Sequence, residues 1–352
     1  VWLRNPQAST ARRVQALTVI TLFITFDLVL FGAFTRLTDS GLGCPDWPGC
    51  YGHASPVGAQ AAIAFEQSQM PDGPVTHAKA WIEMVHRYMA MAVGGLILTL
   101  AAFAWVRRWR GEVTSGVLWP TVTLLWVCVQ GAFGALTVTM KLFPLIVTLH
   151  LMGGLVLLAL LTLQVQRQRL ASERCASVGL RLPLYVATWL GLSLLTVQVW
   201  LGGWVSTNYA VLACPDFPTC NGQWLPDLNW QGFSLWRELG HAPDGQVLPF
   251  VALSSIHFVH RSAAWVVLAV LLWVGWRLRQ QPGLQTAGRW LLGLLALQLV
   301  TGLSNVVFDW PLLAAVLHTG GAAAMVVTLT WALGISRAES FSRSYTSSRP
   351  AA

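Results

Sequence analysis

The amino-acid sequence predicts an all-α integral membrane protein, with eight transmembrane helices arranged as two parallel-repeat four-helix bundles. Three observations predict this fold class: an apolar composition, eight long apolar stretches and an internal repeat. The 352 residues are 55% hydrophobic and 10% charged, whereas a soluble domain carries about a quarter charged residues. Most of the chain is therefore expected to lie in a lipid bilayer.

Each apolar stretch is about 20 residues or longer, which is enough to cross a bilayer as a helix. The stretches lie at roughly 14–36, 82–106, 116–138, 144–166, 183–205, 252–276, 288–308 and 311–335. They divide the chain into a cytoplasmic N-terminus (1–13), an N-terminal half (14–166), a cytoplasmic linker (167–182), a C-terminal half (183–335) and a cytoplasmic tail (336–352).

The distribution of basic residues explains the net charge of +8 and predicts the topology. Most of the 22 lysines and arginines flank the spans on one side of the membrane. The other side carries two long loops, 39–80 and 206–250, which contain many acidic residues. By the positive-inside rule, both termini are cytoplasmic and the long loops lie outside. The basic balance therefore reflects topology, and no nucleic-acid partner is expected.

The two halves repeat the same motifs in the same order. After the first and fifth spans stand CPDWPGC (44–50) and CPDFPTC (214–220). Within later spans, EMVHR (83–87) matches HFVHR (257–261), and LHLMGG (149–154) matches LHTGG (317–321). Because each half contains an even number of spans, the halves share one orientation and form a parallel repeat.

Four histidines lie near the outer ends of spans, two in each half: His86, His150, His260 and His318. An imidazole in hydrocarbon is costly without a partner, so histidines at matched depth are candidates for function. Two facing imidazoles among apolar side chains suit the axial ligation of a haem iron, whereas zinc would require three or four ligands at one point. The alternative is that each packs as a polar residue against a neighbouring helix.

Three arginines at the outer interface are candidates for binding haem propionates. Arg87 and Arg261 each follow a candidate ligand directly, and Arg36 ends the first span. The guanidinium group binds carboxylates in a bidentate manner. The alternative for each is a helix-end side chain that extends to the membrane surface.

The halves differ three residues before the first histidine of each pair, where Glu83 in the first half corresponds to His257 in the second. Residues i and i+3 share a helix face, so Glu83 is expected to face the same pocket as His86. A carboxylate there could act as a general base or stabilise a developing cation. The alternative is a structural partner for Arg87 or Arg36. No role is assigned to His257 or to Asp27 in the first span.

The cysteine pairs are expected to form disulfides, Cys44 with Cys50 and Cys214 with Cys220. The charge bias places both pairs in the outer loops, where an oxidising compartment preserves disulfides. Each bond would close a short loop beside a haem pocket. Since two equivalent pairs are present, a structural role is favoured over a redox role for either one.

The combination of TRLTDSGLGCPDWPGC, E-x-x-H-R, an early histidine in the fourth span, CPDFPTC, H-R and a final histidine resembles the bacterial haem A synthase family with two extracytoplasmic cysteine pairs. The resemblance covers roughly 14–335. It implies an oxidoreductase that converts haem O into haem A, for terminal oxidase biogenesis. The C8 methyl would be oxidised to a formyl group by two successive hydroxylations and dehydration.

The resemblance also implies the role of each half. His260 and His318 would ligate a resident haem b, while His86 and His150 would ligate the substrate haem O, with Glu83 as the catalytic carboxylate. Haem O synthase and an electron acceptor are expected partners, a homo-oligomer is possible, and the expected location is the bacterial plasma (inner) membrane. Two other classes stay open: a bis-histidine cytochrome b electron carrier, which would not need Glu83, and a parallel-repeat transporter, which would bind no haem.

Overall fold

A computed structural model describes residues 6–112, 116–172 and 177–339. Within these ranges the chain forms nine α-helices: α1 (Pro6–Leu37), α2 (Gln60–Gln69), α3 (His77–Trp109), α4 (Leu118–Thr139), α5 (Pro144–Ala171), α6 (Leu182–Thr207), α7 (Phe250–Leu278), α8 (Gln285–Val307) and α9 (Leu312–Ile335). Two short strands, β1 (Val178–Arg181) and β2 (Ser336–Glu339), and a 3-10 helix at Trp230–Phe233 complete the described elements.

Eight of the described helices, all except α2, are long and apolar enough to cross a membrane. The predicted all-α membrane protein is thereby confirmed. The helices extend a few residues beyond the apolar stretches at several ends. At the start of α3, for example, the Thr76 side chain accepts a hydrogen bond from the Lys79 amide, so the helix begins at His77 rather than at residue 82. An N-cap of this kind satisfies amide groups that lack partners within the helix.

The linker and the tail contain a contact that the sequence did not predict. Strands β1 and β2 pair in parallel, with Val178 opposite Ser336. They join the segment before α6 to the segment after α9. Residues 1–5 of the predicted N-terminus and 340–352 of the predicted tail lie outside the described residues.

Helix contacts within each half follow the same pattern. In the first half, α1 packs on α3 and α5, and α4 packs on α3 and α5; in the second, α6 packs on α7 and α9, and α8 packs on α7 and α9. Between the halves, α5 contacts α6 and α9, and α1 contacts α9. We interpret this pattern as two four-helix groups that meet along α1, α5, α6 and α9.

Glycines permit the close approach of helices between the halves. A Cβ atom on Gly320 of α9 would lie 2.5 Å from Cδ2 of Leu30, and one on Gly203 of α6 would lie 3.2 Å from Cδ2 of Leu151. Small residues at such positions let helix backbones pack closely in a membrane. Gly320 therefore serves helix packing.

Candidate functional site

The two long loops lie side by side, which defines the loop face of the molecule as the side that carries residues 38–76 and 208–249. The Arg36 guanidinium donates to the Ser206 carbonyl at 2.7 Å, and the Tyr209 hydroxyl bonds to the Asp39 carboxylate at 2.7 Å. Arg36 also stacks on the Tyr209 ring at 4.0 Å. Both hydrogen bonds join residues 170 positions apart, so repeat-related positions contact each other here.

Each of the four candidate histidines lies against a glycine of another helix. A Cβ atom on Gly32 would lie 3.0 Å from Nε2 of His86, and one on Gly134 would lie 3.5 Å from Cε1 of His150. In the second half, a Cβ on Gly202 would lie 2.9 Å from Cε1 of His260, and one on Gly302 would lie 3.1 Å from Cε1 of His318. A larger residue at Gly32, Gly202 or Gly302 would push the ring away.

The structure brings the histidines together in the predicted pairs. His86 lies near His150, and His260 lies near His318. All four rings are half-buried. Two imidazoles in each half, each seated against a glycine, suit a flat macrocycle held by axial ligands. The residues present therefore fit a haem in each half.

The surroundings of the imidazoles differ between the halves. In the second half, Nδ1 of His260 lies 3.1 Å from Nε2 of Gln198, and Nδ1 of His318 lies 3.0 Å from the Thr301 hydroxyl. In the first half, Nδ1 of His150 is buried without a hydrogen-bond partner among the described residues. The ring of His86 is stacked with that of Phe31, with centroids 6.5 Å apart.

Glu83 is buried, and its carboxylate connects α3 to the first disulfide loop. One oxygen accepts a hydrogen bond from the Cys44 amide at 2.8 Å, and the other pairs with Arg87 at 2.5 Å. In the second half, His257 at the corresponding position is also buried. Glu83 therefore contacts the first disulfide loop, and its catalytic role stays a prediction.

Arg87 and Arg261 bind the disulfide loops of their own halves. Arg87 donates to the carbonyls of Asp46 at 2.8 Å and Gly49 at 2.5 Å, and Arg261 donates to the carbonyls of Asp216 and Thr219, both at 2.7 Å. Each guanidinium therefore lies near the helix turn that carries the preceding histidine, His86 or His260. Propionate binding by Arg36, Arg87 and Arg261 stays a prediction, and a propionate would share each guanidinium with backbone carbonyls.

Both predicted disulfides are confirmed: Cys44 bonds to Cys50 and Cys214 bonds to Cys220, with Cα atoms 4.8 and 4.7 Å apart. All four cysteines are buried. The two loops share one backbone conformation, with left-handed residues directly after the second cysteine and a cis peptide bond before the second proline of each motif.

An aspartate inside each loop organises its turn. Asp216 accepts hydrogen bonds from the Thr219 hydroxyl, from the Gly222 amide at 3.0 Å and from the Asn221 amide at 2.6 Å. These bonds, that of Thr219 foremost, lower the pKa of Asp216 from 3.8 to about 2. In the first loop, Asp46 accepts from the amides of Tyr51 and Gly52 in the same way.

Several residues near the histidines were not predicted from the sequence. The glycines that face the rings occupy ordinary helix positions, and only their recurrence in the two halves could have pointed to them. Gln198 and Thr301 do not recur in the first half, so the sequence carried no signal for them. Arg237 in the second loop is buried; it donates to the Gly232 carbonyl at 2.8 Å and to the Asn208 side chain. Burial lowers the pKa of Arg237.

The chain matches the model of the COX15-CtaA family, described as cytochrome oxidase assembly protein, over residues 15–330. It is 41% identical over 315 residues to the haem A synthase of Shewanella oneidensis, covering 88% of this chain and 92% of that protein. It is 29% identical over 331 residues to the haem A synthase of Bradyrhizobium sp. strain ORS 278, covering 87% and 85%. The haem A synthase of Symbiobacterium thermophilum is 27% identical over 324 residues, covering 88% and 90%.

Proposed function

Because the chain belongs to the COX15-CtaA family of cytochrome oxidase assembly proteins, we propose that it works as a haem A synthase, a membrane-embedded oxidoreductase that converts haem O into haem A. The observation that carries this function is its similarity to haem A synthases over almost nine-tenths of the chain. The paired histidines are the groups that we propose for binding haem.

The N-terminal half is proposed to bind haem O, with His86 and His150 as the axial ligands. Their rings lie against Gly32 and Gly134, where any larger residue would narrow the space beside the ring. Neither ring has a hydrogen bond to a neighbouring side chain among the described residues. A substrate must enter and a product must leave, and weakly restrained ligands favour that exchange.

The C-terminal half is proposed to hold the resident haem b through His260 and His318. When bound there, haem b supplies an iron that accepts and passes on single electrons. The chain's own contribution is to orient the two imidazoles and to shield them with apolar helices. Arg261, which binds the adjacent disulfide loop, is the proposed partner of a propionate in this half, and Arg36 and Arg87 are its counterparts in the other.

The proposed reaction oxidises the C8 methyl of haem O to a formyl group by two successive hydroxylations and loss of water. Glu83 is the proposed catalytic carboxylate, because it lies one helical turn from His86 in the half assigned to the substrate. Its ion pair with Arg87 fixes its position at the edge of that half. A positioned carboxylate could accept a proton or stabilise positive charge as the methyl is oxidised.

The protein is proposed to reside in the bacterial plasma membrane, with both termini in the cytoplasm and the loop face outside. This orientation follows from the excess of arginine at the opposite ends of the helices. Haem O synthase is the proposed source of the substrate, and a separate electron acceptor is required. A homo-oligomer remains a proposal for the assembly.

The function is tested in cells that make haem O but lack their own haem A synthase. Expression of this chain is expected to produce haem A, measured by chromatography of extracted pigments, and the purified protein is expected to carry haem b. Cells that accumulate only haem O, together with a protein that carries haem b, would instead identify an electron carrier. A protein without haem absorbance would contradict both readings.

A further inference from the structure

Among the described residues, the hydrogen bonds of the C-terminal histidines have no counterpart in the N-terminal half. Gln198 lies four residues before Gly202, the glycine that faces His260, and Thr301 directly precedes Gly302, the glycine that faces His318. The matching positions before Gly32 and Gly134 are occupied by Leu28 and Phe133. Two polar groups next to the imidazoles in one half are therefore replaced by apolar ones in the other.

Thr301 has the geometry to fix one orientation and one tautomer of His318. Its hydroxyl donates to the Leu297 carbonyl at 2.7 Å, so its oxygen is free to accept a hydrogen bond from Nδ1–H of His318 at 3.0 Å. A proton on Nδ1 leaves the lone pair of Nε2 for iron. Gln298 also donates to the His318 carbonyl, at 2.7 Å, but the first half has the same residue type, Gln130, at the equivalent position.

Gln198 restrains His260 from two directions. Its Nε2 donates to the His260 carbonyl at 3.0 Å and lies 3.1 Å from Nδ1 of the same residue. Its Oε1 is buried without a hydrogen-bond partner among the described residues. In this orientation the amide nitrogen is the donor, so Gln198 restrains the position of His260 and does not accept a proton from its ring. Leu28 provides no hydrogen-bonding group to His86.

We infer that Gln198 and Thr301 are positioning residues that determine which half retains its haem. This inference rests on the proposed function, in which the four histidines are haem ligands. The outer-shell contacts orient His260 and His318, and the hydrogen bond from Nδ1–H to Thr301 also makes His318 a better electron donor to iron, so haem b stays bound. Within the described part of the chain His86 and His150 lack these contacts, so the N-terminal half releases its haem after the reaction. Loss of one outer-shell partner typically weakens metal binding by about 10- to 100-fold.

The test measures the transfer of haem b from the purified protein to apomyoglobin, together with the midpoint potential of haem b. In Gln198→Leu and Thr301→Val, we expect transfer to be about 10- to 100-fold faster. The midpoint potential should rise in Thr301→Val, because a less electron-rich imidazole stabilises ferric iron less. Thr301→Ser keeps the hydroxyl and should behave like the unmodified protein. Thr196→Val is the matched control, because this hydroxyl on α6 bonds only to the carbonyl of Leu192.

A reciprocal variant tests the same idea in the N-terminal half. Leu28→Gln should slow the release of haem from that half by a comparable factor, because the new amide can hold His86. Unchanged transfer and unchanged potential in both Gln198→Leu and Thr301→Val would overturn the inference while leaving the proposed function intact. Unmodified protein that carries no haem b would overturn the proposed function itself. In Thr301→Val, faster transfer without a change in potential would show loosened packing and would also contradict the inference.

Discussion

At the scale of single residues, Glu83 has two separable contacts. One carboxylate oxygen accepts a hydrogen bond from the Cys44 amide, and the other pairs with Arg87. A change that removes the carboxylate entirely would release the loop as well as any catalytic group. The replacement must therefore keep an acceptor for the Cys44 amide while removing the negative charge.

Glu83→Gln meets this requirement, and it should lower the ratio of haem A to haem O by about 10²- to 10⁴-fold, the range for a positioned acid–base group. Haem b content should stay near that of the unmodified protein, since Glu83 lies in the other half. The ratio is measured by chromatography of pigments from cells that make haem O. Glu66→Gln on α2 is the control. Near-normal haem A would remove Glu83 from the mechanism.

The proposed ligands of haem b give a second prediction. His260→Ala and His318→Ala should each remove the haem b or convert it to a high-spin form, because one axial ligand is lost. The optical and electron paramagnetic resonance spectra of purified protein report the change. His241→Ala, in the second loop, should leave both spectra unaltered. An unchanged low-spin spectrum in both membrane variants would be incompatible with the assignment.

At the scale of structural elements, the disulfide loops are held by three kinds of bond. A disulfide closes each loop, an aspartate binds the amides of its turn, and an arginine from the adjacent helix binds its carbonyls. The hydrogen bonds to Asp216 require its ionised form. Since the pKa of the folded form is about 2, below the ordinary 3.8, ionisation stabilises the loop at neutral pH.

The conformational stability of the second disulfide loop should therefore depend on pH only under acidic conditions. A depressed pKa gives stabilisation that is complete above about pH 5 and is lost as the pH falls from about 4 toward 2. The measurement is the rate at which a phosphine reduces Cys214–Cys220, divided by the rate in Asp216→Asn. This rate ratio should increase as the pH falls from about 4 toward 2 and should stay constant above about pH 5. Because the carboxylate is exposed, we expect a local effect and no change in global unfolding. An equal rate ratio at pH 6 and pH 3 would contradict the proposal that ionised Asp216 stabilises the loop.

At the scale of the whole molecule, the sequence predicted what depends on long or strongly patterned segments. The eight apolar helices and both disulfides were expected, because about 20 apolar residues and a fixed cysteine spacing leave few alternatives. The contacts of His260 with Gly202 and with Gln198 were not expected, because they depend on how α6 and α7 pack. The pairing of β1 with β2 joins distant four-residue segments that carry no strand pattern.

The contact between the halves at the loop face can be separated from haem binding. Arg36 donates to the Ser206 carbonyl at 2.7 Å and stacks on Tyr209, so Arg36→Ala should weaken the contact between the ends of α1 and α6. A hydrogen bond from a charged group contributes about 1.5–3 kcal/mol, whereas the partly exposed pair with Asp39 adds about 0–1 kcal/mol. The midpoint temperature of unfolding should fall by several degrees. Tyr209→Phe removes the hydroxyl that reaches Asp39 but keeps the ring, so its effect should be smaller.

Haem O affinity of both variants is measured in parallel. Weaker binding in Arg36→Ala alone would support a propionate contact, whereas equal affinity would limit Arg36 to joining the halves.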